Sequence, residues 1–146
     1  MKKHLLILFL TLFFLACNSI KKTQEAIHKG NYDKAISLAV RNLNGNKSKK
    51  KTQPYILMLE EAFGKASQRD QEEIAFLKKD ANPENLERIY NIYLRLKERQ
   101  QKIKPLLPLK ISKKKANARF DFKNYDEAII TLKKEHYSNF CTIALA

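Results

Sequence analysis

With 146 residues and 29 Lys and Arg against 15 Asp and Glu, a formal net charge of +14, the chain is long enough for one domain with a modest core and too short for two comfortable ones. Three Gly, four Pro and no Trp, against abundant Lys, Glu, Leu, Ile, Ala and Asn, argue for helices joined by short loops rather than a turn-rich β architecture. The basic excess could face nucleic acid, anionic lipid headgroups or an acidic partner, and neither Cys17 nor Cys141 belongs to a metal-spaced pair.

The first segment organises the rest. Lys2 and Lys3 precede an apolar run from Leu5 to Ala16 broken only by Thr11, and Cys17 closes it. This is the layout of a secretory signal. Its twelve residues span roughly 18 Å as a helix, well short of the ~30 Å needed to cross a membrane. An ordinary signal peptidase cut before Cys17 would place bulky Phe14 where a small residue is wanted. Leu15-Ala16-Cys17 instead resembles a bacterial lipoprotein signal, with Phe14 and Leu15 departing from the usual Leu and small residue. The resemblance implies that 1–16 is removed and that Cys17 becomes an acylated (palmitate-type) first residue, outside the cytoplasm and anchored in the envelope membrane. A cut after Ser19 and an uncleaved apolar anchor are the alternatives. Loss of Lys2 and Lys3 leaves 27 basic residues against 15 acidic. Export removes nucleic acid from the expected partners, and acylation of Cys17 leaves Cys141 without an internal disulfide partner.

From 20 to 43 the periodicity predicts an αα-hairpin turning at Gly30-Asn31, with Ala35, Ile36, Ala39, Val40 and Leu43 on one face. Gly30 is suited to end the first helix with a positive φ, and Asn31 to cap the second. The phrase Asn31-Tyr32-Asp33-Lys34-Ala35-Ile36 returns as Asn124-Tyr125-Asp126-Glu127-Ala128-Ile129. Both copies resemble the turn and second-helix start of a tetratricopeptide repeat. The resemblance implies that Gly30 turns the chain, that Tyr32 and Tyr125 pack between helices, and that Ala35 and Ala128 permit close approach, with Ala39 and Leu132 four places on. The 93 residues from Tyr32 to Tyr125 are not a multiple of the 34-residue period, so a regular solenoid throughout is not expected.

A polar, basic loop over 44–53, with Lys47, Lys49, Lys50 and Lys51, leads to Pro54. Residues 54–80 read as a second hairpin: Tyr55, Leu59, Ala62, Phe63 and Ala66 on the first helix, a polar break from Ser67 to Asp70, then Ile74 and Leu77 inward, with Ala75 and Phe76 as further inward candidates. Asn82-Pro83-Glu84 is the best local start signal and predicts a long helix over 83–103, with Leu86, Ile89, Tyr90, Tyr93, Leu96 and Ile103 down one side, stopped by Pro105 and Pro108. Residues 104–115 read as a linker containing Lys113, Lys114 and Lys115. At 116–122 a period-two alternation competes with the repeat-like phrase, which favours helix and makes 116–135 the last repeat-like segment. The tail at 136–146 loses the lysine-rich texture, which motivates the expectation of a truncated or frame-shifted array.

For chemistry the sequence offers little. The two histidines after the signal, His28 and His136, stand far apart, the glycines form no phosphate cradle, and the carboxylate pairs Glu60-Glu61 and Glu72-Glu73 fall on polar helix faces. No catalytic residue, cofactor, metal site or small-molecule substrate is expected. The expectation is an all-α, lipid-anchored envelope protein whose antiparallel hairpins hold another envelope protein or peptide without catalysis. The alternative is a peripheral binder of anionic lipid headgroups or glycans through Lys47, Lys49, Lys50, Lys51, Lys113, Lys114 and Lys115 and the basic stretch from Arg95 to Arg119.

Overall fold

The structure, a computed structural model, describes residues 19–45, 50–80, 82–112 and 115–144, with side chains to 135. Among the described residues the chain is all-α apart from one two-residue strand pair. The described helices are α1 (19–28), α2 (Tyr32–Leu43), α3 (Gln53–Lys79), α4 (Asn85–Ile103) and α5 (Asp126–Ala144), and the strands are β1 (Lys110–Ile111) and β2 (Ala116–Asn117). They form two compact units, Met1–Phe63 with Leu106–Arg119, and Gly64–Pro105 with Phe120–Ala146.

In the first unit α1 and α2 make the expected hairpin, and Gly30 shows why. Its φ is +69°, its N–H donates to the Ile27 carbonyl at 3.0 Å, and the Asn31 N–H reaches back to Ala26 at 2.8 Å. This pair of bonds is the Schellman ending, which needs a left-handed residue after the helix. Asn31 then caps α2 by accepting from the Lys34 N–H, and at the far end Asn42 Nδ2 donates to Ser19 Oγ at 3.1 Å, so the two helices run antiparallel. Ala35, Ile36, Ala39 and Leu43 are buried, and Val40 is half-buried. A Cβ on Gly30 would meet nothing within 4 Å, so Gly30→Ala is expected to cost only the left-handed backbone penalty, about 1–2 kcal/mol. Gly64→Ala, mid-helix and equally unobstructed, is expected to act the opposite way, stabilising by about 0.5–1 kcal/mol and raising the urea midpoint.

The segment expected to be a linker belongs to this unit's interior up to Ile111: Leu106, Leu109 and Ile111 are buried. Lys110 pairs with Asn117 and Ile111 with Ala116 in antiparallel register, and the Ala118 N–H donates to the Leu109 carbonyl at 2.8 Å. The helix expected at 116–122 is therefore corrected to a strand followed by extended chain. Its amides find partners across the chain instead of four residues back: the Arg119 N–H donates to Glu60 Oε1 at 2.7 Å, and in the second unit the Lys123 N–H donates to Gln100 Oε1 at 3.1 Å. Ala118 is buried and Phe120 and Phe122 half-buried, the alternation the period-two pattern signalled, whereas Ala116 at its start is exposed.

The second hairpin expected within 54–80 is also corrected. α3 runs unbroken through Ser67 to Asp70, with Pro54 in its first turn. The polar residues there do not break the helix because Ser67 and Asp70 are buried. Ile74 and Leu77 point inward as expected, whereas Ala75 and Phe76 do not; Phe76 is 71% exposed, on the opposite side of the helix from the buried pair. The predicted start of α4 shifts from 83 to 85. Asn82 Oδ1 accepts from the Glu84 N–H at 3.0 Å, and Asn85 and Leu86 donate to the Asn82 and Pro83 carbonyls, so Asn82-Pro83-Glu84 builds the preceding turn.

The second unit is built from α3 from Gly64 onward, α4 and α5 as successive antiparallel helices. Arg88 Nη2 reaches Glu73 Oε1 at 2.6 Å and Asn85 Nδ2 the Leu77 carbonyl, while at the other end of α4 Lys97 pairs with Asp126 at 2.6 Å. Ile74, Leu77, Ile89, Ile92, Leu96, Tyr125 and Leu132 make the core, with Leu86, Tyr90, Tyr93 and Ile129 against it. Asn124 Oδ1 accepts from the Asp126 N–H at 2.9 Å, and Asp126 and Glu127 lie in the first turn, where acids oppose the helix dipole. α5 continues to Ala144, so the change of texture after 135 does not end the helix.

Candidate functional site

The antiparallel path of the second unit leaves a groove of about 720 Å³ where the end of α3, the first half of α4 and the first half of α5 meet. Its apolar lining is Leu77, Leu86, Ile89 and Leu132, with Pro83 at one end and Ala128 along α5. Its polar lining comes from Lys78, Asn82, Tyr93 and Asn124 and from Glu127, Thr131 and Glu135, which recur every fourth residue of α5. Lys78 Nζ lies 3.5 Å from the Tyr93 hydroxyl and 5.7 Å from the ring centre, a cation–π arrangement. The Tyr93 ring stands 5.7 Å from that of buried Tyr125. Burial, with Asp121 adding to it, pushes the Tyr125 hydroxyl above its ordinary value, so it stays protonated through the physiological range.

The same unit holds a carboxylate from the stretch expected to be a polar break between two helices. Asp70 is fully buried. Arg95 clasps it from α4 with two bonds of 3.2 and 3.1 Å, Arg99 adds one of 2.9 Å, and neighbouring Arg69 adds contacts of 3.3 and 3.2 Å. Burial alone would raise the Asp70 carboxyl, but the hydrogen bonds and charges of Arg95 and Arg99 outweigh it and hold the group below its ordinary 3.8. Arg95 and Arg99 were read as part of a surface basic stretch; this is corrected, since Arg99 is 2% exposed and both are committed to Asp70. Lys97 and Lys102 of that stretch pair with Asp126 and Glu98. The network is structural in geometry, with its acid enclosed and none of its members lining the groove.

The other predicted residues fall in separate places. Gly30, Tyr32 and Ala35 belong to the α1–α2 hairpin, where Ala35 is fully buried and Tyr32 half-buried. Tyr125 and Ala128 belong to the second unit, and Ala128 is half-buried against the groove. Lys50, Lys51 and Lys115 are exposed in the first unit. Residues 1–16, where a signal was expected, and Cys17, Lys47, Lys49, Lys113 and Lys114 lie outside the described residues. Gln53, Glu60 and Gln100, whose side chains hold backbone amides 59 and 23 residues away, were not anticipated. Among the described residues no helix is long and apolar enough to cross a membrane, and no group of three or more His, Cys, Asp or Glu is placed to hold a metal ion. No family model, curated protein or solved structure matches the chain.

Proposed function

We propose that the chain is a lipid-anchored protein of the bacterial envelope that holds a segment of another envelope protein, without catalysis, in the groove between α3, α4 and α5. The groove carries this reading. It combines an apolar lining that gains by being covered with polar groups that fix orientation, the composition of a recognition site. The walls are helices whose backbone groups bond internally, so side chains rather than main chain make the contacts. A related pair of hairpins of the tetratricopeptide type, and an amino end acylated at Cys17, complete the proposal.

The test is site-specific photo-cross-linking in cells. A photoreactive residue at Thr131, exposed in the groove, is expected to give a discrete higher-mass adduct, and the same probe at exposed Leu57 of the first unit is not. Ala128→Trp, which fills the groove, is expected to reduce the Thr131 adduct at least tenfold with little change in melting temperature, and Glu127→Lys to reduce it without filling anything. Absence of an adduct at Thr131, or equal adducts at Leu57, would end the reading.

A further inference from the structure

The net charge of the chain is not spread evenly. The first unit carries 16 Lys and Arg against 4 Asp and Glu, and the second 13 against 11. In the second unit Arg88, Arg95, Arg99, Lys97, Lys102 and Lys123 all face carboxylates. Every described Lys and Arg of the first unit is exposed. The chain also has no Asp or Glu between Asp33 and Glu60, nor between Glu98 and Asp121.

One side chain draws the two acid-free stretches together. Gln53, the first residue of α3, donates through Nε2 to the Lys110 carbonyl at 3.2 Å and accepts through Oε1 from the Ser112 N–H at 2.9 Å. Lys50 and Lys51 belong to a short 3₁₀ turn just before it, Lys110 is the first residue of β1, and Lys115 directly precedes β2, its strand partner. Exposed lysines nearly sixty residues apart in sequence are thereby brought into one neighbourhood of the unit.

We propose that these lysines, Lys50, Lys51, Lys110 and Lys115, dock the first unit on a bilayer of anionic lipid. Ammonium groups on flexible, exposed stems hold a single small anion poorly, because each contact is screened and costs side-chain freedom. A plane of negative headgroups meets all of them within one Debye length of about 8–10 Å and needs no shaped cavity. The inference rests on the envelope reading only for which surface lies at hand; the attraction itself does not require acylation.

The experiment therefore uses unacylated protein, residues 17–146 with Cys17→Ala, a form that keeps every described element. Co-sedimentation with vesicles of phosphatidylcholine containing 30% phosphatidylglycerol is expected at low salt, and none with phosphatidylcholine alone. Binding should fall at least tenfold between 50 and 300 mM NaCl. Lys50→Gln/Lys51→Gln/Lys110→Gln/Lys115→Gln should weaken it at least tenfold, and Lys97→Gln/Lys102→Gln/Lys123→Gln in the second unit less than twofold. Inorganic phosphate at 10 mM and constant ionic strength should not displace the chain. Equal binding to zwitterionic vesicles, an unaffected quadruple variant, or displacement by phosphate overturns the proposal, and none of these outcomes bears on acylation of Cys17 or on the groove.

Discussion

Asp70→Asn is expected to destabilise the protein by about 3–5 kcal/mol, the cost of leaving a buried charge without its counter-ion. The substitution keeps the shape of the side chain but removes the carboxylate charge that pairs with Arg99, which is 2% exposed, and that also accepts from Arg95 and Arg69. Against a total stability of about 5–15 kcal/mol this is a large fraction, and the thermal midpoint should drop by about 10–20 °C. The pH dependence distinguishes this account from a simple packing defect. The Asp70 carboxyl is depressed in the folded chain, so its contribution is fully present above its unfolded value near 4 and is lost as pH falls through its lower folded value. The stability difference between wild type and Asp70→Asn should therefore be constant above about pH 5 and shrink as the solution is made more acid. A gap that stays the same size down to pH 2 would show that the charge is not what the arginines need. Asp70→Asn/Arg99→Met should recover part of the loss, because the stranded charge is removed with its partner.

The same residue explains where sequence reasoning succeeded and where it stopped. Regularities that lie within a few residues were readable: the inward stripe Ala35, Ile36, Ala39 and Leu43, the left-handed Gly30, the run Ile89, Leu96 and Ile103 along α4. Each depends on helical spacing or on one backbone angle, and needs no knowledge of the rest of the chain. Ser67 to Asp70 looked like a break because polar residues ordinarily face water. The buried Asp70 is paired by Arg95 and Arg99, 25 and 29 residues further on, which no pattern within Ser67 to Asp70 can announce. The strand at 116 was undecidable locally for a related reason, since its partner Ile111 and the side chains of Glu60 and Gln100 decide it from elsewhere. The repeated Asn-Tyr-Asp phrase did mark two helix starts, at α2 and α5, where Asn31 and Asn124 each accept from a backbone amide two or three places on. The groove itself had no signature, because its lining comes from three helices whose mutual placement no local pattern encodes.

Cys17→Ala is expected to abolish the acyl mass at the amino terminus and to shift the protein from a membrane fraction that resists salt to one that salt extracts. Two acyl chains contribute ~0.8 kcal/mol per buried methylene, far more than screened lysines can supply, so the wild type should leave the membrane only in detergent. The competing cut after Ser19 can be weighed on the hairpin. Ser19 accepts from Thr23 Oγ1 through its carbonyl at 2.9 Å and from Asn42 Nδ2 through its hydroxyl at 3.1 Å, and Thr23 is fully buried. Removing Ser19 would strip both acceptors from the first turn of α1, whereas a cut before Cys17 leaves them in place. Mass spectrometry of the mature terminus decides between the cuts directly. Fractionation then separates the two attachments: the Cys17→Ala chain should stay on anionic membranes at low ionic strength and come away in 300 mM NaCl, and adding Lys50→Gln/Lys51→Gln/Lys110→Gln/Lys115→Gln should free it at either. If wild type and Cys17→Ala carry the same terminus and wash off together in salt, the anchor is not a lipid on this cysteine.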